Sequence, residues 1–128
     1  MSIHCVVVTP EKTELERDAE SVSLPMPDGE LGVLTGRAPM IGRLGYGTLR
    51  LQTAAGPERY FVDGGFAQVE DNVVNILTGR LIPVDLIQRD EAQSSLEKAL
   101  EMSAKTPEEA GLKETAVARA RGQLRAAK

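Results

Sequence analysis

The sequence predicts a mainly β chain with a helical end: an N-terminal β-sandwich of about ten short strands over residues 1–82, then an antiparallel two-helix hairpin over residues 83–128. Three observations carry this reading. Up to about Arg80 the apolar residues come in short runs rich in Val, Leu, Ile and Thr, each closed by Gly, Pro, Asp or Asn. From Pro83 onward their spacing changes from two to between three and four. A chain of 128 residues and 13.8 kDa holds one core and a small appendage, not two large domains.

The first run, 3–9, is ended by Pro10, and runs at 13–17 and 19–24 follow, the latter alternating Val22 and Leu24 with Ser21 and Ser23. Pro27-Asp28-Gly29 supplies a fixed φ and then a residue free to take a positive one, which makes a hairpin turn. Runs at 30–34, 40–44, 47–53, 59–62, 65–70 and 73–77 complete the set, with breaks at 35–39, at 54–57 and at Asp71-Asn72. No helical pattern follows Gly64-Gly65 or the series Gly42, Gly45, Gly47. These glycines therefore lack the free N–H array of a helix N-terminus and read as tight turns between strands, not as phosphate-cradling loops.

Residues 88–105 contain no Gly or Pro, and Ala92, Leu96, Ala99, Leu100 and Ala104 share one helical face, with Met102 off it. Thr106-Pro107-Glu108-Glu109 reads as an N-cap, a proline in the first turn and a capping-box glutamate. In the second helix Leu112, Ala116, Ala120 and Leu124 recur every four residues, while Arg119, Arg121, Arg125 and Lys128 take other positions. Gly122 costs about 1 kcal/mol against alanine in a helix, so a weak C-terminal end is expected. Two helices with so thin an apolar stripe must dock, move, or both.

Composition narrows the function. With no Trp, two Tyr and two Phe, the chain offers no stacking platform for bases or sugars. No apolar run approaches the ~20 residues of a membrane span, and a basic segment followed by an apolar one is missing at the start, so neither bilayer insertion nor secretion is expected. The net charge of -4 speaks against nucleic-acid binding, yet residues 111–128 carry five basic side chains and one acidic. Such a tail meets an acidic protein surface or folds against the acidic half of its own chain. Cys5, within an apolar run, reads as a buried small hydrophobe, and the lone His4 beside it projects to the opposite face of the strand. The pairs Glu14/Glu16 and Glu108/Glu109 sit in polar stretches and read as solvated surface. No catalytic group, metal site or cofactor site emerges, and the chain is expected not to be an enzyme.

Asp28-Gly29-Glu30-Leu31-Gly32-Val33-Leu34, followed by Gly36-Arg37-Ala38-Pro39-Met40, resembles the signature of epsilon subunits of F-type ATP synthases, a GELG segment followed by a Gly-His-Ala-Pro-like turn. Gly47-Thr48-Leu49-Arg50, the stretch from Val62 to Val69 and that from Asn72 to Leu77 resemble the family in order and spacing. The resemblance implies a non-catalytic rotor subunit of the central stalk that couples proton translocation to ATP synthesis. It implies binding to the gamma subunit and the c-ring, peripheral placement on the cytoplasmic face of the energy-transducing membrane, and a hairpin that restrains ATP hydrolysis by reaching the alpha and beta catalytic subunits.

Residue by residue, the resemblance implies that Glu30 faces the c-ring and that Arg37, where the family usually has histidine, lies near the gamma contact. Arg119, Arg121 and Arg125 are the implied cationic contacts with the catalytic head. Relatives that bind ATP carry an Ile/Leu-Asp-x-x-Arg-Ala motif at the start of the hairpin; here Asp90 keeps the acid, but Gln93 and Ser94 replace the arginine and alanine. A neutral amide lacks the bidentate grip of arginine on phosphate, so no nucleotide site is expected. A register through Ile87 puts Gln88 at the acid and Glu91 at the arginine, which is worse. The rival readings are an ATP-sensing regulatory subunit and a free-standing β-sandwich adaptor.

Overall fold

The computed structural model describes residues 2–127, and Lys128, counted above with the basic tail, lies outside them. The described residues form eight strands: β1 (Ile3–Val8), β2 (Thr13–Ala19), β3 (Ser21–Met26), β4 (Gly29–Val33), β5 (Met40–Thr53), β6 (Gly56–Glu70), β7 (Val73–Leu77) and β8 (Leu81–Pro83). Their order is β2-β1-β7-β6-β5-β3-β4, with β8 also paired to β6. Every pairing is antiparallel except β1 with β7.

Two corrections to the sequence reading share one cause. The runs 40–44 and 47–53 are one strand of 14 residues, and 59–62 and 65–70 one strand of 15. The glycines expected in turns between strands lie within strands: Gly42 and Gly47 sit in the regular β5–β6 ladder, and only the pairing at Gly45 and Gly64 is interrupted. Gly64 and Gly65 have φ of +68° and +110°, and a Cβ on Gly65 would fall onto the Leu77 carbonyl oxygen. Residues 40–44 pair with 65–69 beside β7, β1 and β2, and residues 47–53 pair with 56–62, flanked by β3 and β4 on one side and β8 on the other. Both long strands thus pass through both layers of the sandwich, and the sheet stays open. β8 was missed because three residues ending in proline show no period.

Alternation decides what lies between the layers. Ile3, Cys5 and Val7 point inward, as do Leu24 from β3, Leu49 and Leu51 from β5, Val62 and Val69 from β6, and Val74 and Ile76 from β7. Burial pushes the Cys5 thiol up to about 12, so it stays protonated and inert. The hairpin turns are local chemistry: Pro27-Asp28 joins β3 to β4, and Asp71-Asn72, with φ of 51° and 61°, joins β6 to β7 in the left-handed region that these short polar side chains tolerate.

On the outer face His4 bridges two carboxylates of β2, with Nδ1 at 2.9 Å from Asp18 and Nε2 at 2.9 Å from Glu16. These hydrogen bonds, that to Asp18 foremost, raise its pKa above the ordinary 6.5. A raised folded-state pKa means that the imidazolium contributes stability fully below the unfolded value and loses it as pH rises through the folded one. The chain should therefore lose a small increment of stability as pH climbs above 6.5. Denaturant midpoints across that range check this, and His4→Ala should flatten the slope. An equal slope in the variant would exclude the bridge as its source.

After one 3-10 turn at Val84–Leu86, α1 covers Arg89–Leu100 and α2 covers Pro107–Ala126. The expected first helix over 88–105 is shorter because its last residues serve the next one. The Glu109 carboxylate accepts the Ser103 hydroxyl at 2.7 Å and the Lys105 N–H at 3.1 Å, while Thr106 Oγ1 accepts the Glu109 N–H at 3.1 Å. The Thr106 cap is as expected, but the glutamate reaches the residue before the cap. These hydrogen bonds, first that from Ser103, hold the Glu109 carboxyl below its ordinary range.

Candidate functional site

The hairpin is folded down. α2 lies along β5 and β6 and carries α1 on another side. It meets the sandwich where the two long strands bend. Arg119 Nε donates to Asp63 Oδ1 at 2.7 Å, and its guanidinium stands 5.6 Å from the centre of the Tyr46 ring. The Asp63 side chain is only 11% exposed, so this ion pair is better shielded than a surface one. One turn further, Gly122 lets the helix approach the strand, since a Cβ there would meet the Tyr46 carbonyl oxygen and come within 3.1 Å of Phe61 Cε1. Phe61 is fully buried, which makes β6 apolar on both faces at Phe61 and Val62.

The helix continues past Gly122 to Ala126, and the glycine is what permits its contact with β5. Arg89 Nη1 donates to the Ala127 carbonyl at 3.2 Å, tying the end of α2 to the start of α1. The expected stripes hold in part. Ala92, Ala99 and Ala120 are buried, whereas Leu100 and Leu112 are exposed.

The three arginines separate. Arg119 is engaged with Asp63 and Tyr46, while Arg121 and Arg125 are exposed and line a different face of α2. Asp90, Gln93 and Ser94 are exposed on α1. They stand outside the groove of about 420 Å³ that Gln88, Glu91, Arg119 and Gln123 line between the two helices and Ile82. Glu30 is exposed on β4 and pairs with Arg50 Nε at 3.2 Å. Arg37 lies in the following turn and donates from Nη1 to the Gly32 carbonyl at 3.4 Å. That turn is moored by the Gly36 N–H, which donates to Asn72 Oδ1 at 2.7 Å.

A second surface escaped the sequence reading. Ile41, Phe66 and Leu77, 74%, 56% and 53% exposed, line with Val8 a shallow hollow of about 280 Å³ on the outer face of β5, β6 and β7. Three large apolar side chains thus stand together in solvent. The signal was present: where Ala67 and Val69 face inward, period two sends Phe66 outward. Asp63 and Tyr46 gave no such signal, because their partner lies 56 and 73 residues away on a helix whose docking only packing decides.

Among the described residues no cluster of His, Cys, Asp or Glu could hold a metal ion, and no helix is long and apolar enough to cross a membrane. Comparison with known proteins agrees with the geometry. Residues 2–84 match the family described as ATP synthase, Delta/Epsilon chain, beta-sandwich domain. The ATP synthase epsilon chain of Rhodopirellula baltica is 72% identical over the full length of both chains. The sodium ion specific epsilon chain of Propionigenium modestum is 37% identical over 80% of this chain and 75% of its own. A chain in the OSCP/F1/c-ring structure of the Euglena gracilis mitochondrial ATP synthase shares the fold, with a TM-score of 0.83 at 24% identity, covering 94% of this chain and 78% of that one. With family match, full-length identity and fold in agreement, the chain belongs to the ATP synthase epsilon-chain family and is a non-catalytic subunit of that complex.

Proposed function

We propose that residues 1–82 form the assembly module, joining the central stalk to gamma and the c-ring, and that residues 83–128 form a reversible brake on ATP hydrolysis. The observation that carries this reading is the seat of α2, fastened among the described residues by the Arg119–Asp63 ion pair, the Arg119–Tyr46 contact and the close approach at Gly122, and backed by few large apolar side chains. A hairpin so held has a second position within reach. The hollow of Ile41, Phe66 and Leu77 gives gamma an apolar seat, and Arg37 lies in the turn just before Met40 and Ile41. Glu30 turns a carboxylate outward toward the c-ring. Release would free Arg119 from Asp63, leaving it on one face of α2 and Arg121 and Arg125 on another, all open to the catalytic subunits. The complex would hold this subunit peripherally at the cytoplasmic face of the energy-transducing membrane.

Asp63→Asn keeps the shape of the seat but removes its charge, which should weaken docking by about 1–2 kcal/mol. The expected result is slower ATP hydrolysis by a reconstituted head carrying the variant, with hydrolysis restored when Arg119, Arg121 and Arg125 are also changed to alanine. Unaltered hydrolysis at full stoichiometry, with the helices demonstrably released, would remove the brake. Glu30→Gln should change stability by no more than ~1 kcal/mol, since the Arg50 pair is half exposed, while lowering ion-coupled synthesis. A stability loss with coupling intact would make Glu30 structural.

A further inference from the structure

On the side of α2 away from α1, a cleft of about 700 Å³ separates the helix from β5 and the β3–β4 turn. Arg43 lines it from the sandwich, and Arg121 and Arg125 from α2. Among the described residues none of these three has a carboxylate within 4.0 Å, whereas Arg17, Arg50 and Arg119 are each paired. The cleft holds one acid, Glu114, and the Thr115 side chain lies on the same wall. Asp90, Gln93 and Ser94 do not line it.

Like charges across a seam push it apart unless something stands between them. Three guanidiniums against one carboxylate leave two positive charges, and arginine forks match the paired oxygens of a phosphate group. We propose that this cleft binds a phosphate-class dianion, as the free ion or as the terminal group of a monoester, and that the bound anion clamps the hairpin to the sandwich. The clamp follows from placement: Arg43 belongs to one body and Arg121 and Arg125 to the other, so only the docked state presents the complete set. A ligand that binds one of two states shifts their ratio by 1 + [L]/Kd, so an anion at tenfold its Kd lowers the undocked population about tenfold.

The test uses the full chain, with hydrogen exchange of the α2 amides reporting docking at constant ionic strength set by chloride. Inorganic phosphate and glycerol phosphate are titrated separately. Saturable slowing of exchange by inorganic phosphate identifies the free ion, and slowing by the ester alone identifies a monoester. Neither slowing α2 exchange beyond chloride would overturn the proposal. Arg43→Gln gives the sharper check, because it should reverse sign: without phosphate the variant docks more firmly than the parent, repulsion having been relieved, and with phosphate less firmly. Exchange in the β1 and β7 amides monitors the fold of the sandwich. A response to phosphate undiminished in both Arg43→Gln and Arg121→Gln would place the anion elsewhere and overturn the assignment.

Discussion

Gly65→Ala should destabilise the sandwich more than any other single-methyl change. At φ +110° an alanine is strained, and its Cβ would coincide with the Leu77 carbonyl oxygen of the neighbouring strand. Backbone strain and overpacking are each worth about 1–3 kcal/mol, so a loss of about 2–6 kcal/mol is expected. Neither cost can be relieved locally. Rotating φ back would straighten β6 where it passes between layers, and moving Leu77 would break the pairing of Phe66 with Leu77 that begins the β6–β7 ladder. Chemical denaturation of the variant checks this, and a shift below about 1 kcal/mol would mean that the bend accommodates a side chain. Gly32→Ala is the natural control, having no atom within 4 Å of its would-be Cβ and no positive φ.

Gly122→Ala should separate the hairpin from the sandwich while leaving both folded. Local propensity and docking act in opposite directions here. Alanine favours the helix by about 1 kcal/mol, but its Cβ meets the Tyr46 carbonyl oxygen, backbone that cannot swing aside. Loss of the seat should outweigh the gain in propensity. The expected signature is faster exchange in the α2 amides facing β5, unchanged exchange in β1 and β7, and far-ultraviolet helicity that is kept or raised. Slower α2 exchange would show that the seam yields and that the glycine is tolerated there, not required.

These two glycines also mark how far the sequence could be read. Strand periodicity, the cap at Thr106, the turns at Pro27-Asp28 and Asp71-Asn72 and the buried Cys5 are local, each fixed by a few neighbouring side chains. The continuity of β5 and β6 was not legible, because a glycine inside a strand and a glycine ending one look alike until the neighbouring chain is in place. The candidate site divides in the same way. Glu30, Arg37 and Arg119 were identifiable as exposed or charged positions in a familiar pattern, but Asp63, Tyr46 and the far wall of the anion cleft depend on where α2 comes to rest.

The two long strands have a mechanical consequence. The apolar hollow and the seat of the hairpin lie on the same main chain: Ile41 and Tyr46 both on β5, Phe66 and Asp63 both on β6. At ~3.3 Å per residue these pairs are separated by about 17 Å and 10 Å of continuous backbone. The hollow and the seat are therefore joined by main chain and not across a side-chain interface, and on β6 that link runs through Gly64 and Gly65, whose positive φ is set where Gly65 packs against the Leu77 carbonyl.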